Sequence, residues 1–264
     1  MRQADPLNLA IDCAREAGQV LLARFGPNLV YEEKSRRGDL VTEVDRASEK
    51  LILARIRDAS PGATIVAEET GVHTGTSDER WFVDPLDGTT NYAHTYPLFC
   101  VSVACERAGE LVAGVVYAPK LDELFAAERG SGARLNDEPL RVSNVERVAD
   151  SLLCTGFVPS NFEVNMPYFR ALSGVAHAVR RDGAAALDLA FLAAGRFDAF
   201  WEFGLSAWDV AAGTLLVREA GGVVTAIDGG QLDYFGRNIL ASNGRLHDEM
   251  RGRLGRLREV GERG

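Results

Sequence analysis

The chain has 264 residues, 46% apolar and 25% charged, which is the usage of a soluble globular protein and excludes a disordered or fibrous one. Twenty-nine Lys and Arg against 38 Asp and Glu give a net charge of -9, which disfavours a protein that works by neutralising nucleic-acid phosphates. The first 25 residues interleave Asp12, Arg15, Glu16 and Arg24 with apolar positions, and no run elsewhere approaches a membrane span, so neither a signal peptide nor a membrane partner is expected.

Four cysteines without a CxxC pair and four scattered histidines give neither a disulfide framework nor a zinc ligand set, and a reducing, cytoplasmic setting is expected. Asp5 before Pro6 reads as a helix N-cap, with Leu9, Cys13, Val20 and Leu21 at helical spacing up to Phe25-Gly26-Pro27. The polar stretch from 32 to 41 reads as a mobile loop, and a second helix runs from about Val44 to Ser60-Pro61-Gly62. Buried strands are expected at Thr64 to Val66, Trp81 to Val83 and Phe99 to Ala104. The apolar runs between 99 and 128 are separated by too few residues for a helical crossover, which predicts an antiparallel meander, with turns continuing at 130–132 and 136–137.

Beyond about residue 150 strands and helices alternate: a strand at Leu152 to Thr155, a helix from Pro167 to Val175, then HAVR, GAAALDLAFLAAG and FDAFWE. A helix over WDVAAGTLLVREAGG closes at Gly221-Gly222, strands follow at Val223 to Ala226 and Ile239 to Ser242, and Leu246, Met250, Leu254 and Leu257 mark a last amphipathic helix. Residues 1–145 read as an α+β half with an antiparallel sheet, and 146–264 as an α/β half joined closely to it.

The chemistry concentrates in Trp81-Phe-Val-Asp-Pro-Leu-Asp-Gly-Thr-Thr-Asn91. Pro85 restricts Asp84 as well as itself, so the strand is expected to end in a stiff turn that aims Asp84, the Leu86 carbonyl and Asp87 at one point. Oxygen-only ligands suit Mg²⁺. Gly88 lets a ligand approach the backbone, and Thr89, Thr90 and Asn91 are suitable caps for a helix whose free N–H groups would receive a phosphate. Asp, Pro and Gly also build ordinary surface turns, so this segment alone does not decide the matter. Glu68-Glu69 follow a strand, Asp45 and Asp209 open helices and Glu202 ends a strand; taken singly, solvation, capping and strand-edge roles cover them all.

Together and in order, AEE, WFVDPLDGTTNYAH and WDVAAGTLLVREAGG resemble the inositol monophosphatase family of Mg²⁺-dependent, Li⁺-sensitive phosphatases. The likeness runs through the loop KSRRGDLVTEVD, the meander, GFVP at 156–159 and GAAALDLAFLAAGRFDAFWE. It implies a five-layer α-β-α-β-α sandwich, usually homodimeric. It further implies that Glu68, Asp84, Asp87, Asp209 and the Leu86 carbonyl hold two or three Mg²⁺ ions, and that Thr89 paired with Asp45 helps activate water. The N–H groups of Gly88 and Thr89 would hold the phosphate, and Asp87, Gly183, Ala185, Glu202 and Asp209 the hydroxyls of a polyol. Three residues depart from the pattern. Ala67 replaces a glycine, Ala184 replaces a Ser or Thr, and Asp182 beside the polyol subsite would repel a second phosphate.

The implied activity is hydrolysis of myo-inositol 1-phosphate or a similar small polyol or sugar phosphate, with no direct nucleic-acid or membrane partner. Alternatives within the fold are fructose 1,6-bisphosphate, histidinol phosphate and 3′-phosphoadenosine nucleotides. From another class comes a partner protein of transcription or ribosome assembly, although a pure scaffold would not need so repulsive a cluster of carboxylates.

Overall fold

A computed structural model describes residues 5–27, 31–33, 40–157, 162–236 and 238–261. The first helix, α1 (Pro6–Arg24), starts where Asp5 accepts the Leu7 N–H at 3.0 Å, and Pro6 occupies a first-turn position that needs no donor. Strands β1 (Tyr31–Glu33) and β2 (Leu40–Thr42) pair antiparallel, so the ends of the expected 32–41 loop are strand, while residues 34–39 lie outside the described residues. Helix α2 (Glu43–Ala59) opens on a capping box in which Thr42 accepts the Val44 and Asp45 N–H groups and Asp45 accepts the Thr42 N–H.

Eight strands form the larger sheet: β3 (Thr64–Ala67), β4 (Gly71–His73), β5 (Glu79–Asp87), β6 (Cys100–Arg107), β7 (Glu110–Ala118), β8 (Glu123–Glu128), β9 (Gly132–Leu135) and β10 (Glu138–Pro139). Their order is β10-β9-β8-β7-β6-β5-β3-β4, with β6, β7 and β8 the expected antiparallel meander, β5 antiparallel to β6 and β3 parallel to β5. A five-residue helix, α3 (Thr89–Ala93), follows β5 directly.

The smaller sheet has the order β12-β11-β13-β15-β14, from β11 (Leu152–Gly156), β12 (Ala178–Arg180), β13 (Ala199–Phe203), β14 (Val223–Thr225) and β15 (Asn238–Ser242). The strands β11, β12 and β13 run parallel, and β15 is antiparallel to both its neighbours. Helix α4 (Phe162–Ser173) begins upstream of the expected start and carries Pro167 inside it. Helices α5 (Ala185–Ala193) and α6 (Ala207–Glu219) follow, and α7 (His247–Gly261) ends the described chain. At the end of α6 the Gly221 and Gly222 N–H groups return to the Arg218 and Val217 carbonyls at 3.0 and 2.8 Å, as the Gly-Gly pair leads one to expect.

Apolar residues segregate into three clusters, the middle one spanning the two inner interfaces of the five layers. One joins α1 and α2 to the larger sheet through Leu21, Ile52, Trp81 and Val103. The second fills the gap between the sheets with α5 and α6, through Phe82, Phe125, Leu189 and Leu216. The third packs α4 and α7 on the outer face of the smaller sheet around Trp201, Leu240 and Met250. Each fully buried Leu, Ile or Phe contributes about 1.5–3 kcal/mol, so this layering is the main source of stability. The result is the α-β-α-β-α sandwich, with helices between the sheets that are largely apolar because both faces are covered. All four cysteines are free and buried. Among the described residues no helix is long and apolar enough to cross a membrane.

Candidate active site

The site lies at one end of the larger sheet, where β5 stops and α3, α5 and α6 begin. Contrary to the expected turn after Val83, β5 continues through Asp87, and its pairing with β6 breaks register between Asp84 and Asp87 before resuming at Cys100. A bulge of this kind re-aims side chains without ending the strand. It folds Asp84 back so that its Oδ1 accepts the Leu86 N–H at 3.0 Å, and Ser48 on α2 fixes the Pro85 carbonyl at 2.9 Å.

Glu68 follows β3, its N–H held by the Val83 carbonyl at 3.2 Å, and the next N–H, of Glu69, is held by the buried Glu49 carboxylate at 2.8 Å. Ala67 is an ordinary strand residue paired with Val83, so the missing glycine costs no left-handed strain. Asp84 is buried, and its carboxyl is held well above the usual carboxylate range by burial first and then by the charges of Glu68, Asp87 and Asp209. The Glu68 side chain raises it further through close contact as well as charge. The charges of Glu68, Asp87 and Asp209, the other carboxylates named from the sequence, thus all bear on Asp84. Their donor set is all oxygen, from acidic side chains and one carbonyl, and suits a hard divalent cation such as Mg²⁺, which would relieve the mutual repulsion.

Asp87 has a second employment. Helix α5 starts at Ala184, which supplies no side-chain cap, and the Asp87 carboxylate does so from across the fold. It accepts the N–H groups of Ala185 at 3.2 Å, Ala186 at 2.8 Å and Leu187 at 3.3 Å, and the Cys100 thiol donates to it at 3.4 Å. These donors partly offset burial, which pushes Asp87 up to about 6. The N–H of Ala185, a residue the resemblance places at a polyol hydroxyl, is thus engaged by Asp87.

Thr89 is not a cap but the first residue of α3; the capping position is Gly88, at φ +87°. A side chain there would meet the Leu98 carbonyl at 2.9 Å and the Ala184 methyl at 3.1 Å, so only glycine fits. The Thr89 hydroxyl lies 3.1 Å from Asp45 Oδ1 and 3.0 Å from the Leu86 carbonyl. With one proton it donates to one of them at a time. Asp45 is fully buried and its carboxyl is raised by burial, against the opposing hydrogen bonds from Thr42 and Thr89.

Asn91 bridges the Leu98 and Asp182 carbonyls at 2.7 and 2.8 Å, and so ties α3 to the loop carrying Gly183. Asp209, third residue of α6, accepts the Ser206 N–H at 2.6 Å. Glu202 on β13 is buried, its carboxyl raised well above the usual range by burial and by Asp209 and Asp87, against Arg181. Across the ladder from it sits Gly156, where a Cβ would lie 2.2 Å from Glu202 Oε2. Sequence reasoning named neither Gly156, Cys100, Ser48 nor Glu49. The Thr42-x-x-Asp45 capping box was the one legible signal among these supports. Val158 and Pro159 of the GFVP match lie outside the described residues.

Residues 3–259 match the model of the inositol monophosphatase family. The chain belongs to that family. An inositol-1-monophosphatase of Mesorhizobium japonicum is 46% identical over 252 residues, covering 92% of this chain and 93% of its own. The Nus factor SuhB of Pseudomonas aeruginosa is also 46% identical, over 90% of this chain and 91% of its own. The solved inositol monophosphatase of Anabaena superposes with a TM-score of 0.86 at 42% identity, over 95% of each chain. Membership makes the protein a phosphatase, as the resemblance implied.

Proposed function

We propose that this family member is a Mg²⁺-dependent phosphomonoesterase acting on myo-inositol 1-phosphate or a similar small polyol or sugar phosphate. The observation that carries the reading is the burial of Asp84 among Glu68, Asp87 and Asp209, beside a Thr89 hydroxyl held by Asp45. Two or three Mg²⁺ ions, held by Glu68, Asp84, Asp87, Asp209 and the Leu86 carbonyl, would acidify a water and offset charge on the phosphate and the leaving alkoxide.

The chain's own residues do the rest. When the Thr89 hydroxyl donates to Asp45, its lone pairs are free to accept a hydrogen bond from the attacking water; as the water loses that proton to Thr89, Thr89 passes its own to Asp45, so the pair orients the nucleophile and draws off charge. The N–H groups of Gly88 and Thr89 at the start of α3 would take the phosphate oxygens, a fit that the left-handed Gly88 permits by bringing bare backbone to the ligand. Asp87, Gly183, Glu202 and Asp209 would meet the polyol hydroxyls, with Ala185 beside them. The name of the Mesorhizobium relative supports the inositol phosphate, and Asp182 beside Gly183 disfavours a doubly phosphorylated substrate.

Phosphate release with Mg²⁺ should be compared across myo-inositol 1-phosphate, fructose 1,6-bisphosphate, histidinol phosphate and 3′-phosphoadenosine nucleotides; kcat/KM highest for the first supports the reading, and for any other moves the substrate. Li⁺ sensitivity, a homodimer and a cytoplasmic setting go with the family reading, and light scattering tests the dimer. So does a division of the chain into halves at 145/146, supported by the two sheets drawing on either side of it.

A second reading, a partner protein of transcription or ribosome assembly, draws on the relatives named Nus factor SuhB. Cells carrying an inactive Asp87→Asn variant in place of the wild type decide it: a deletion phenotype supports catalysis, and normal behaviour supports binding.

A further inference from the structure

A second group of side chains able to hold a metal ion gathers between β11 and α5, and none of them belongs to the carboxylate cluster described above. Cys154 on β11, Asp182 in the loop before α5 and Asp188 within α5 bring a thiol sulfur and two carboxylate oxygens within 4.8 Å of one another. Asp188 supplies an independent sign that something belongs there. It is 1% exposed, and its carboxylate oxygens find no hydrogen-bond partner among the described residues apart from the Cys154 thiol of the same group, which bears on it. Its surroundings make this worse rather than better, because the charges of Asp182, Asp87 and Glu202 all bear on it. The nearby cations act on other carboxylates from exposed positions, Arg180 at the end of β12 on Asp182 and Arg181 just after it on Glu202. A buried anion in such company is costly unless a cation or a proton neutralises it.

We propose that Cys154, Asp182 and Asp188 form a second cation site, distinct from the Glu68, Asp84, Asp87 and Asp209 cluster, that takes a divalent, thiolate-accepting cation of the Zn²⁺ class. Chemistry separates the two sites. Mg²⁺ favours oxygen donors alone, whereas one thiolate with two carboxylates suits a borderline cation. Binding forms a metal–sulfur bond and two metal–oxygen bonds, and the thiol proton, with any proton on Asp188, leaves to solvent. The half-buried Asp182 gives the site its access. Cys154 is fully buried, its thiol raised by burial and by Asp188 and Asp182, so without a cation it is an inert thiol.

The test titrates the full chain, at saturating Mg²⁺, with Cd²⁺ as a spectroscopic probe and reads the ultraviolet thiolate-to-metal charge-transfer band. The expected result is a band that saturates at a single equivalent, is abolished in Cys154→Ser and persists in Cys100→Ser, whose thiol touches Asp87 instead. No band in the wild type, a band that survives Cys154→Ser, or one lost in Cys100→Ser overturns the proposal. If circular dichroism shows that Cys154→Ser fails to fold, Asp182→Asn on the half-buried loop decides. Cd²⁺ affinity weaker by about 10- to 100-fold supports the site, and an unchanged affinity overturns it. Phosphate release is measured separately, so this site can fail while the phosphatase reading stands.

Discussion

The contact between Gly156 and Glu202 allows the polyol assignment to be tested without touching a metal ligand. In Gly156→Ala the new methyl carbon would sit 2.2 Å from Glu202 Oε2 and 2.6 Å from its carboxyl carbon. Ordinary contact begins near 3.5 Å, so the carboxylate must retreat by about 1 Å. Glu202 is only 7% exposed and is held in ladder register with Gly156 on one side and Ile239 on the other, so the side chain swings rather than the strand. If that carboxylate receives a substrate hydroxyl, losing a charged hydrogen bond removes about 1.5–3 kcal/mol. At about 1.4 kcal/mol per decade, kcat/KM for myo-inositol 1-phosphate should fall about 10- to 100-fold. The control is p-nitrophenyl phosphate, which has no polyol hydroxyls: its kcat/KM and the Mg²⁺ dependence should stay within about twofold of wild type, since nothing that binds metal or phosphate has moved. Equal losses on both substrates, or none on either, would refute the role given to Glu202.

Three further outcomes are expected. Asp87→Asn should weaken Mg²⁺ binding, read by calorimetry, by more than about 100-fold, beyond what removing an outer partner of a ligand does. Thr89→Ala should cut kcat by about 100-fold or more with Mg²⁺ affinity little changed, and Thr89→Ser should restore part of the rate because the hydroxyl is what Asp45 holds. Without metal, Asp87 binds a proton more tightly folded than unfolded, with about 6 against an ordinary 3.8. Its contribution is therefore present below about pH 4 and lost as pH rises through about 6, a swing of about 3 kcal/mol. Thermal denaturation of wild type against Asp87→Asn should show that the wild type loses ground over this interval in chelator, and saturating Mg²⁺ should reverse the trend; parallel curves would count against it.

Much of this architecture is legible where local chemistry is decisive. Asp5-Pro6 announces α1, the short gaps after Arg107 and Ala118 force the meander, and Gly221-Gly222 close α6. Local rules failed where tertiary pairing overrode them. Pro85 did not end β5, because a bulge absorbs the missing donor and Cys100 takes up the ladder again at Asp87. Pro167 did not start α4, and the polar YEE segment gave no hint that Tyr31–Glu33 would pair with Leu40–Thr42. The same limit applies to the site. The spacing of Asp84 and Asp87 is readable, but the arrival of Glu202 and Asp209 depends on the second sheet and the helices before it, and came only through the family resemblance. Gly156 and Cys100 carry no signal of their own, since a glycine at a strand end and a buried thiol are both commonplace.

The tie between Asp87 and α5 couples ligand occupancy to mechanics. A carboxylate offers about four lone-pair directions, and three helix N–H groups and a thiol already point at this one. Three of these donors share Oδ2 and only the Ala185 N–H takes Oδ1, so a cation held at the remaining Oδ1 direction would draw charge from that N–H and would be expected to loosen the first turn of the helix wedged between the two sheets. Amide exchange at Ala185, Ala186 and Leu187 thus becomes a gauge of occupancy, and the middle layer of the sandwich a sensor for events at its rim.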